Sequence, residues 1–411
     1  MSETTSPTAA VCNPGAPPGG HDYPPAAIPL TPTIGWSGLG HAAGAYSSLL
    51  DIPHVCVSAG RAAIALALQH AGIGRGDEVL VPAYHCESMI APVEHVEAQP
   101  VYYRIGRDTH VDLDDIAGKI TPSTRAILAT HYFGFDQVMQ PLRELCDRHE
   151  LILIEDCAHA FFCGRKENAI GRFGDYAIGS AMKFFPLFDG GLLASSRHRL
   201  DDIDLFQPSW SLEAKGTISI LEYAMRYGRL KLVSLPLRAA VALKDTVWGA
   251  TKKLLRNRID GSFAPSSSEG GYALEPKWIN ARMSRVSRLI LKRTDTDRIG
   301  DGRRHNYQHI VDALADVPGI APLFPALPGD VVPLVVPMVV DNPSVMFPRL
   351  KHAGVPIWRF GEYLYPEIDE SVCSNTLFLS RHVFQFPCHP ELRPDEIDWM
   401  VDTIREQLRS Q

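Results

Sequence analysis

Three absences bound what this chain of 411 residues can be. It has no excess of basic charge: the formal net charge is −7 and the isoelectric point is near 6.1, so the broad positive field of a nucleic-acid binder is missing. It has no run of about 18 uninterrupted apolar residues, the length a membrane-spanning helix needs. Its eight cysteines, at 12, 56, 86, 146, 157, 163, 373 and 388, include no CxxC pair and form no compact framework, which excludes a small disulfide scaffold and reads as reduced thiols in a cytoplasmic protein. The first thirty residues are rich in Pro, Gly, Ser and Thr and lack the charged start and apolar run of a secretory signal, so residues 1–27 are expected to be a flexible tail.

What is present is an ordinary globular composition, 45% hydrophobic and 21% charged, with enough length for two or three domains. From Val55 to Leu193 short apolar runs alternate with segments of helical length, the mark of an α/β domain with a mostly parallel sheet. The runs predict strands over Val79–Val81, Val101–Tyr103, Ala126–Ala129, Leu151–Ile154, Tyr176–Ile178 and Leu192–Ala194. Ala62–Ala71 and Met139–Glu150 are the clearest helices between them. Residues 28–196 are therefore expected to form the large domain, 197–272 a helical insertion, and 273–411 a smaller α/β domain. Within the last, helices are expected over Trp278–Arg293, near 294–316, over Ser344–Ala353 and from Pro394 onward. Apolar runs occur at Val332–Val340 and Leu377–Phe386.

The chemistry is concentrated in two residues. Asp156 follows the apolar run Leu151-Ile152-Leu153-Ile154 almost directly, and so stands at the C-terminal end of a strand, where open α/β sheets place their ligands. Lys183 lies 27 residues on, just past the next strand, amid bulky apolar residues in Gly179–Gly191. Apolar surroundings disfavour the ammonium form and leave a usable nucleophile and proton carrier. A lysine of this kind beside a carboxylate that can hold a pyridine nitrogen protonated points to pyridoxal phosphate. The stretch Ser58-Ala59-Gly60-Arg61-Ala62-Ala63 opens a helix with small residues whose free N–H groups can meet the phosphate, and Ser180 offers a hydroxyl to it. Phe184-Phe185-Pro186 is expected to wall the lysine from water.

These segments, together with Gly74-Arg75-Gly76-Asp77-Glu78-Val79, His131-Tyr132-Phe133-Gly134, Glu155–Ala160 and Asn280–Ser284, resemble in order and spacing the DegT/StrS family of sugar aminotransferases over roughly residues 28–195 and 275–410. The resemblance implies a fold-type I transferase in which Lys183 carries pyridoxal 5'-phosphate as a Schiff base and Asp156 pairs with its pyridine nitrogen. It implies that His159 contacts the phenolic oxygen, and that Ser180 with the backbone of Gly60, Arg61 and Ala62 holds the phosphate. Where many members place a ring-stacking aromatic, this chain reads Pro82-Ala83-Tyr84-His85-Cys86, which leaves His85 or Cys86 to fill that position. Asn280, with Arg282, matches a segment that reaches a neighbouring subunit's cofactor, which implies a homodimer. The implied activity is transfer of an amino group from an amino acid, by family expectation glutamate, to a nucleotide-linked keto sugar. The alternatives are a non-sugar ketone as acceptor and a non-catalytic, membrane-associated protein on the same fold.

One segment stands apart. Between Arg226 and Arg258 there are nine basic residues and one acid, Asp245, a local balance of +8 in a chain of −7. Leucines and valines interleave with them. Such a composition suits a helical hairpin with its basic side in solvent, an amphipathic helix on an anionic membrane surface, or a nucleotide-diphosphate or protein site. Trp358, Arg359 and Tyr363, in a loop of the small domain, are candidate specificity residues.

Overall fold

The computed structural model describes residues 23–35, 40, 44–164, 169–230 and 274–409. Strands β1 (Tyr46–Ser48), β2 (His54–Val57), β3 (Glu78–Pro82), β4 (Gln99–Tyr103), β5 (Thr124–Thr130), β6 (Ile152–Asp156), β7 (Phe162–Gly164), β8 (Tyr176–Ser180) and β9 (Gly191–Ala194) alternate with helices α1 (Gly60–His70), α2 (Glu87–His95), α3 (Leu113–Lys119) and α4 (Met139–His149). Seven of the strands form one sheet in the order β2-β9-β8-β6-β5-β3-β4. The five from β4 to β8 run parallel, and the edge pair is antiparallel: β9 against β8 and β2 against β9. All six expected strands are present with bounds shifted by one or two residues, β6 starting at Ile152 rather than Leu151. β6 and β8 read as unbroken apolar runs because helices cover both faces of such a sheet, and Leu153, Ile154, Ala177 and Ile178 are fully buried.

Strand order decides where a ligand can sit. β4 lies on one side of β3 and β5 on the other, so the chain reverses direction across the sheet between β3 and β5. At such a switch point the loops leave the carboxyl ends of neighbouring strands in opposite directions and open a crevice. Pro82, Thr130, Asp156 and Ser180 are the last residues of β3, β5, β6 and β8, and register places Thr130 beside Asp156 and Asp156 beside Ile178.

Helix α5 (Trp210–Arg226) opens the insertion, and residues 231–273 lie outside the described part. Most of the basic run 226–258 therefore lies outside it too. One of its nine cations is accounted for: Arg229, partly buried, is paired with Glu396, which removes it from any free basic surface. Of the residues expected in the tail, 23–27 are described: Ala27 N–H donates to the Gly354 carbonyl at 2.9 Å and the Tyr23 ring meets His352 edge-on at 5.1 Å, while Pro24, Pro25 and Ala27 are exposed.

A second sheet, β10 (Ile320–Pro322), β11 (Val335–Val340) and β12 (Val383–Pro387), is antiparallel in that order. Its companion helices are α6 (Arg285–Arg293), α7 (Thr296–Leu314), α8 (Pro343–His352), α9 (Glu370–His382) and α10 (Pro394–Arg409). Two expectations change here. The helix expected over Trp278–Arg293 begins only at Arg285, because Ser284 caps it by accepting from Ser287 N–H, while Ala281 and Arg282 bridge to Phe206 and Val57 in extended form. The apolar run Leu377–Phe386 is helix up to His382, in the second of two helical pieces that meet at a kink at Cys373; only Val383 onward is strand.

Candidate active site

Asp156 ends β6 with its carboxylate accepting from Ala158 N–H at 3.0 Å, and only 3% of the residue is exposed. Burial pushes its pKa up, whereas the Ala158 amide and the charge of Lys183 pull it down. Lys183 ends a single 3-10 turn, Ala181–Lys183, that follows β8 directly. Arg303, itself buried, donates from Nη2 to the Lys183 carbonyl at 3.0 Å and fixes the turn from behind. Desolvation lowers the pKa of the Lys183 amine, with Cys86 and Asp156 opposing it. The two groups are thus driven toward neutrality by burial and toward charge by each other.

Both face one cavity of about 530 Å³, which they share with Gly60, Arg61, Cys86, His159 and Ser180. Helix α1 starts against the end of β8: a Cβ on Gly60 would stand 3.5 Å from the Gly179 carbonyl and 3.6 Å from Ser180 Cβ. Ala59, at the N-cap of α1, makes no side-chain cap, so the first N–H groups of the helix have no side-chain acceptor there. His159 is buried among rings, stacked on Phe133 at 6.0 Å and edge-on to Phe360 at 4.9 Å. Its Nδ1 has no partner among the described residues, and desolvation holds its pKa well below the usual histidine range, so it is neutral.

The remaining expected residues fall elsewhere. Ala62 lines a neighbouring cavity with Ser58, Arg61, Met182 and Trp278. Of the two candidates for the ring-stacking position, Cys86 lines the Lys183 cavity and His85 is not among its lining residues. His85 instead stacks on Tyr102 at 5.1 Å and accepts from Tyr365 N–H through Nε2, and burial lowers its pKa to about 4. Asn280 is exposed, donating to the Asp204 carbonyl, and Arg282 donates from Nε to the Leu205 carbonyl. Phe184 and Phe185 do not wall the cavity; fully buried, they pack on Phe161 and Phe162 in the core behind the lysine.

Sequence reasoning missed Thr130, Ser88, Met89 and Phe360 of the lining, and Arg303 behind it. Thr130 could have been found from the strand-end rule that located Asp156. Phe360 and Arg303 carry no local signal, because they arrive from the smaller sheet and its helices. Trp358, Arg359 and Tyr363 line a second, outer cavity of about 710 Å³ that also touches Cys86, His159, Lys183 and Phe360.

A cluster of His131, Glu155 and Cys157 beside the site has the residue types of a metal centre. Its hydrogen bonds describe a brace instead: Glu155 accepts from the amides of Gly171, Phe173 and Gly174, and His131 Nδ1 accepts from Gln137 N–H, which leaves Nε2 protonated to donate to Glu155.

The Lys183 cavity fits pyridoxal 5'-phosphate by its donor set. A buried carboxylate without a cationic side chain bonded to it can pair with a pyridinium nitrogen, the lysine amine can meet an aldehyde, the unpaired His159 Nδ1 can meet a phenolic oxygen, and the open start of α1 with Ser180 can meet a phosphate.

Residues 48–209 match the model of the DegT/DnrJ/EryC1/StrS aminotransferase family. The chain is 35% identical over 155 residues to GDP-perosamine synthase of Vibrio cholerae, an alignment covering 37% of this chain and 42% of that protein. It is 38% identical over 127 residues to the L-glutamine:2-deoxy-scyllo-inosose aminotransferase of Streptomyces kanamyceticus, covering 31% of this chain and 29% of that one. The matches to these curated relatives thus span less than half of their length. Across the whole fold, the aminotransferase TlmJ from Streptoalloteichus hindustanus superposes with a TM-score of 0.59 at 18% identity, covering 87% of this chain and 86% of that one, which shows a shared fold.

Proposed function

We propose, from the match of residues 48–209 to the model of the DegT/DnrJ/EryC1/StrS aminotransferase family, that this protein is a pyridoxal phosphate-dependent aminotransferase. It would move an amino group from an amino-acid donor, by family expectation glutamate, to the keto carbon of a sugar, with a nucleotide-linked keto sugar as the favoured acceptor. The observation that carries this reading is the convergence of Lys183, Asp156, Ser180 and the uncapped start of α1 on one cavity.

When bound, the cofactor supplies an electron sink for the carbanion formed at the donor's α-carbon. The rest of the work falls to the chain. Asp156, ionised, would hold a proton at the pyridine nitrogen. Lys183, with its ammonium form disfavoured by burial, has a free amine that takes the proton from the donor's α-carbon and returns one to the acceptor carbon. Neutral His159 presents Nδ1 or its proton to an oxygen without adding charge. Phe360 and Met89 exclude water from the same space.

The partner we propose is a second copy of this chain. Phe206 and Trp210 are exposed, and Trp210 stacks under the Arg285 guanidinium at 4.2 Å. Phe206 packs beside Trp278, whose cavity shares Ala59 and Arg61 with the Lys183 cavity. An apolar surface this close to the site, next to exposed Asn280, supports an interface there. No helix among the described residues is long and apolar enough to cross a membrane.

The reading is tested by the spectrum of the purified protein loaded with pyridoxal phosphate. The wild type should show the visible absorbance of a lysine-bound cofactor and Lys183→Ala should not; a loaded wild type without that absorbance contradicts the proposal.

A further inference from the structure

The outer cavity contains a side chain that the amino-transfer chemistry does not use. Strand β12 alternates, with Phe384 and Phe386 packed in the core and Phe384 edge-on to Phe347 at 5.3 Å. Gln385 and Pro387 therefore share the opposite face, and both line the outer cavity. Register supports this placement, because Val335, directly across from Pro387 on β11, lines the cavity as well. The backbone of Gln385 is satisfied, its N–H donating to the Trp358 carbonyl at 2.9 Å. Its side chain is not: the residue is fully buried, and neither Nε2 nor Oε1 has a partner among the described residues. A buried amide with four unused hydrogen-bonding positions is costly to keep, and its presence against a cavity calls for a ligand.

The chemistry of the missing partner follows from what the amide offers. A carboxylate supplies only acceptors and would leave Oε1 unpaired, whereas hydroxyl groups donate and accept and can satisfy both ends. The nearby cations are partly engaged: Arg359 donates from Nη2 to Glu362 at 2.7 Å and Arg303 donates to the Leu334 and Lys183 carbonyls, while the Nε of each has no partner among the described residues. The other walls are mixed: Trp358 on one side and Leu30 and Pro32 of an N-terminal strap on another are apolar, and Thr31, Glu362, Tyr363 and His389 stand among them. That strap is held by the Tyr223 hydroxyl of α5, which accepts from Leu30 N–H at 3.1 Å and Thr31 N–H at 3.2 Å, and by His389, whose Nε2 meets the Pro29 carbonyl at 3.0 Å.

We propose that Gln385 is a specificity-determining residue that reads two hydroxyl groups on the ring of the acceptor ketone, in a chamber walled by Trp358 and the Leu30–Pro32 strap. The assignment rests on the aminotransferase reading, which places the keto carbon at Lys183 and hence the rest of its ring toward the outer cavity. Within that chamber Nε2 donates to one hydroxyl and Oε1 accepts from another, while the apolar walls cover the C–H faces of the ring. A ring without hydroxyls leaves the amide as unpaired as it is in the free protein.

Calorimetric binding of two probes to the pyridoxal phosphate-loaded full chain tests this: scyllo-inosose, a six-membered ring ketone with hydroxyls on its other carbons, and cyclohexanone, the same ring without them. The wild type should prefer scyllo-inosose by about tenfold or more, and Gln385→Met, close in volume but unable to pair, should reduce that preference about tenfold. Its melting temperature should not fall, because the substitution removes an unpaired amide. Equal affinity of the wild type for the two ketones, or an unchanged preference in Gln385→Met, overturns the assignment. Should the variant not fold, a crystal of the wild type soaked with scyllo-inosose decides: hydroxyls within hydrogen-bond reach of Gln385 sustain it, and hydroxyls placed elsewhere overturn it. The glutamate half-reaction, followed separately in the wild type, distinguishes the two levels. A wild type silent toward glutamate that still prefers scyllo-inosose through Gln385 loses the aminotransferase reading and keeps the pocket; one that reacts with glutamate and ignores the hydroxyls does the reverse.

Discussion

At the scale of single residues, Asp156 and Lys183 are pushed by burial in opposite directions, one up and one down in pKa, and each is a cause of the other's remaining charge. A cationic heterocycle beside Asp156 would restore its carboxylate form and free the lysine from that duty. Asp156→Asn should therefore retain the cavity but lose the charge that holds the ring proton; we expect kcat for amino transfer to fall by about 10²-fold or more, measured in single turnovers with glutamate. A variant with wild-type rates would remove Asp156 from the chemistry. Both residues were legible in the sequence because each follows an apolar strand, and a strand's end is where a parallel sheet exposes side chains. His85 and Cys86 were not separable, since neighbouring side chains at the end of β3 leave in different directions and only the packing of Tyr102 and Tyr365 decides which turns inward.

At the scale of elements, the turn after α5 is tied to the smaller sheet's helices by Arg229, which donates to both Glu396 oxygens and to the Glu391 carbonyl. The Arg229 and Glu396 side chains are 9% and 6% exposed, so removing Arg229 leaves a buried carboxylate with the half-exposed Arg393 as its remaining cation. Arg229→Ala should cost about 3 kcal/mol in denaturant unfolding, more than an exposed pair would. Desolvation alone would raise the Glu396 pKa, yet Arg229 and its other partners bring it below the ordinary value. A depressed carboxylate contributes stability that is complete above its unfolded pKa and lost as pH falls through the folded one, so Arg229→Ala should also flatten the acid limb of the stability profile below about pH 4.5. Wild-type stability in the variant would contradict the bridge. Counting charge along the chain grouped Arg229 with a free basic run because a partner 167 positions away leaves no local trace. The delayed start of α6 has a similar origin: Asp189, from the loop after Lys183, accepts from Ser284 N–H, Ser284 Oγ and Ser287 Oγ, and this tertiary grip holds the helix start where periodicity alone extended it backward.

For the whole molecule, the alternation of apolar runs and helices made the α/β class and six of the sheet's strands readable, whereas the order of strands, and with it the crevice, came from pairing that no single segment encodes. The outer cavity is less legible still, being assembled from residues near 30, 360 and 385. The exposed aromatic surface at Phe206 and Trp210 beside Asn280 leads us to expect a dimer, seen by light scattering as a mass near twice 45.3 kDa. A monomer at working concentration would instead leave the Lys183 cavity to be completed by this chain alone. The most direct test of the central claim is the glutamate half-reaction of the pyridoxal phosphate-loaded protein, followed by absorbance in the absence of any acceptor. The wild type should convert the lysine-bound cofactor spectrum to that of the aminated cofactor with one equivalent of 2-oxoglutarate released, and Lys183→Ala should do neither; a loaded wild type that leaves glutamate and its own spectrum unchanged, with other amino-acid donors equally inert, would contradict the account.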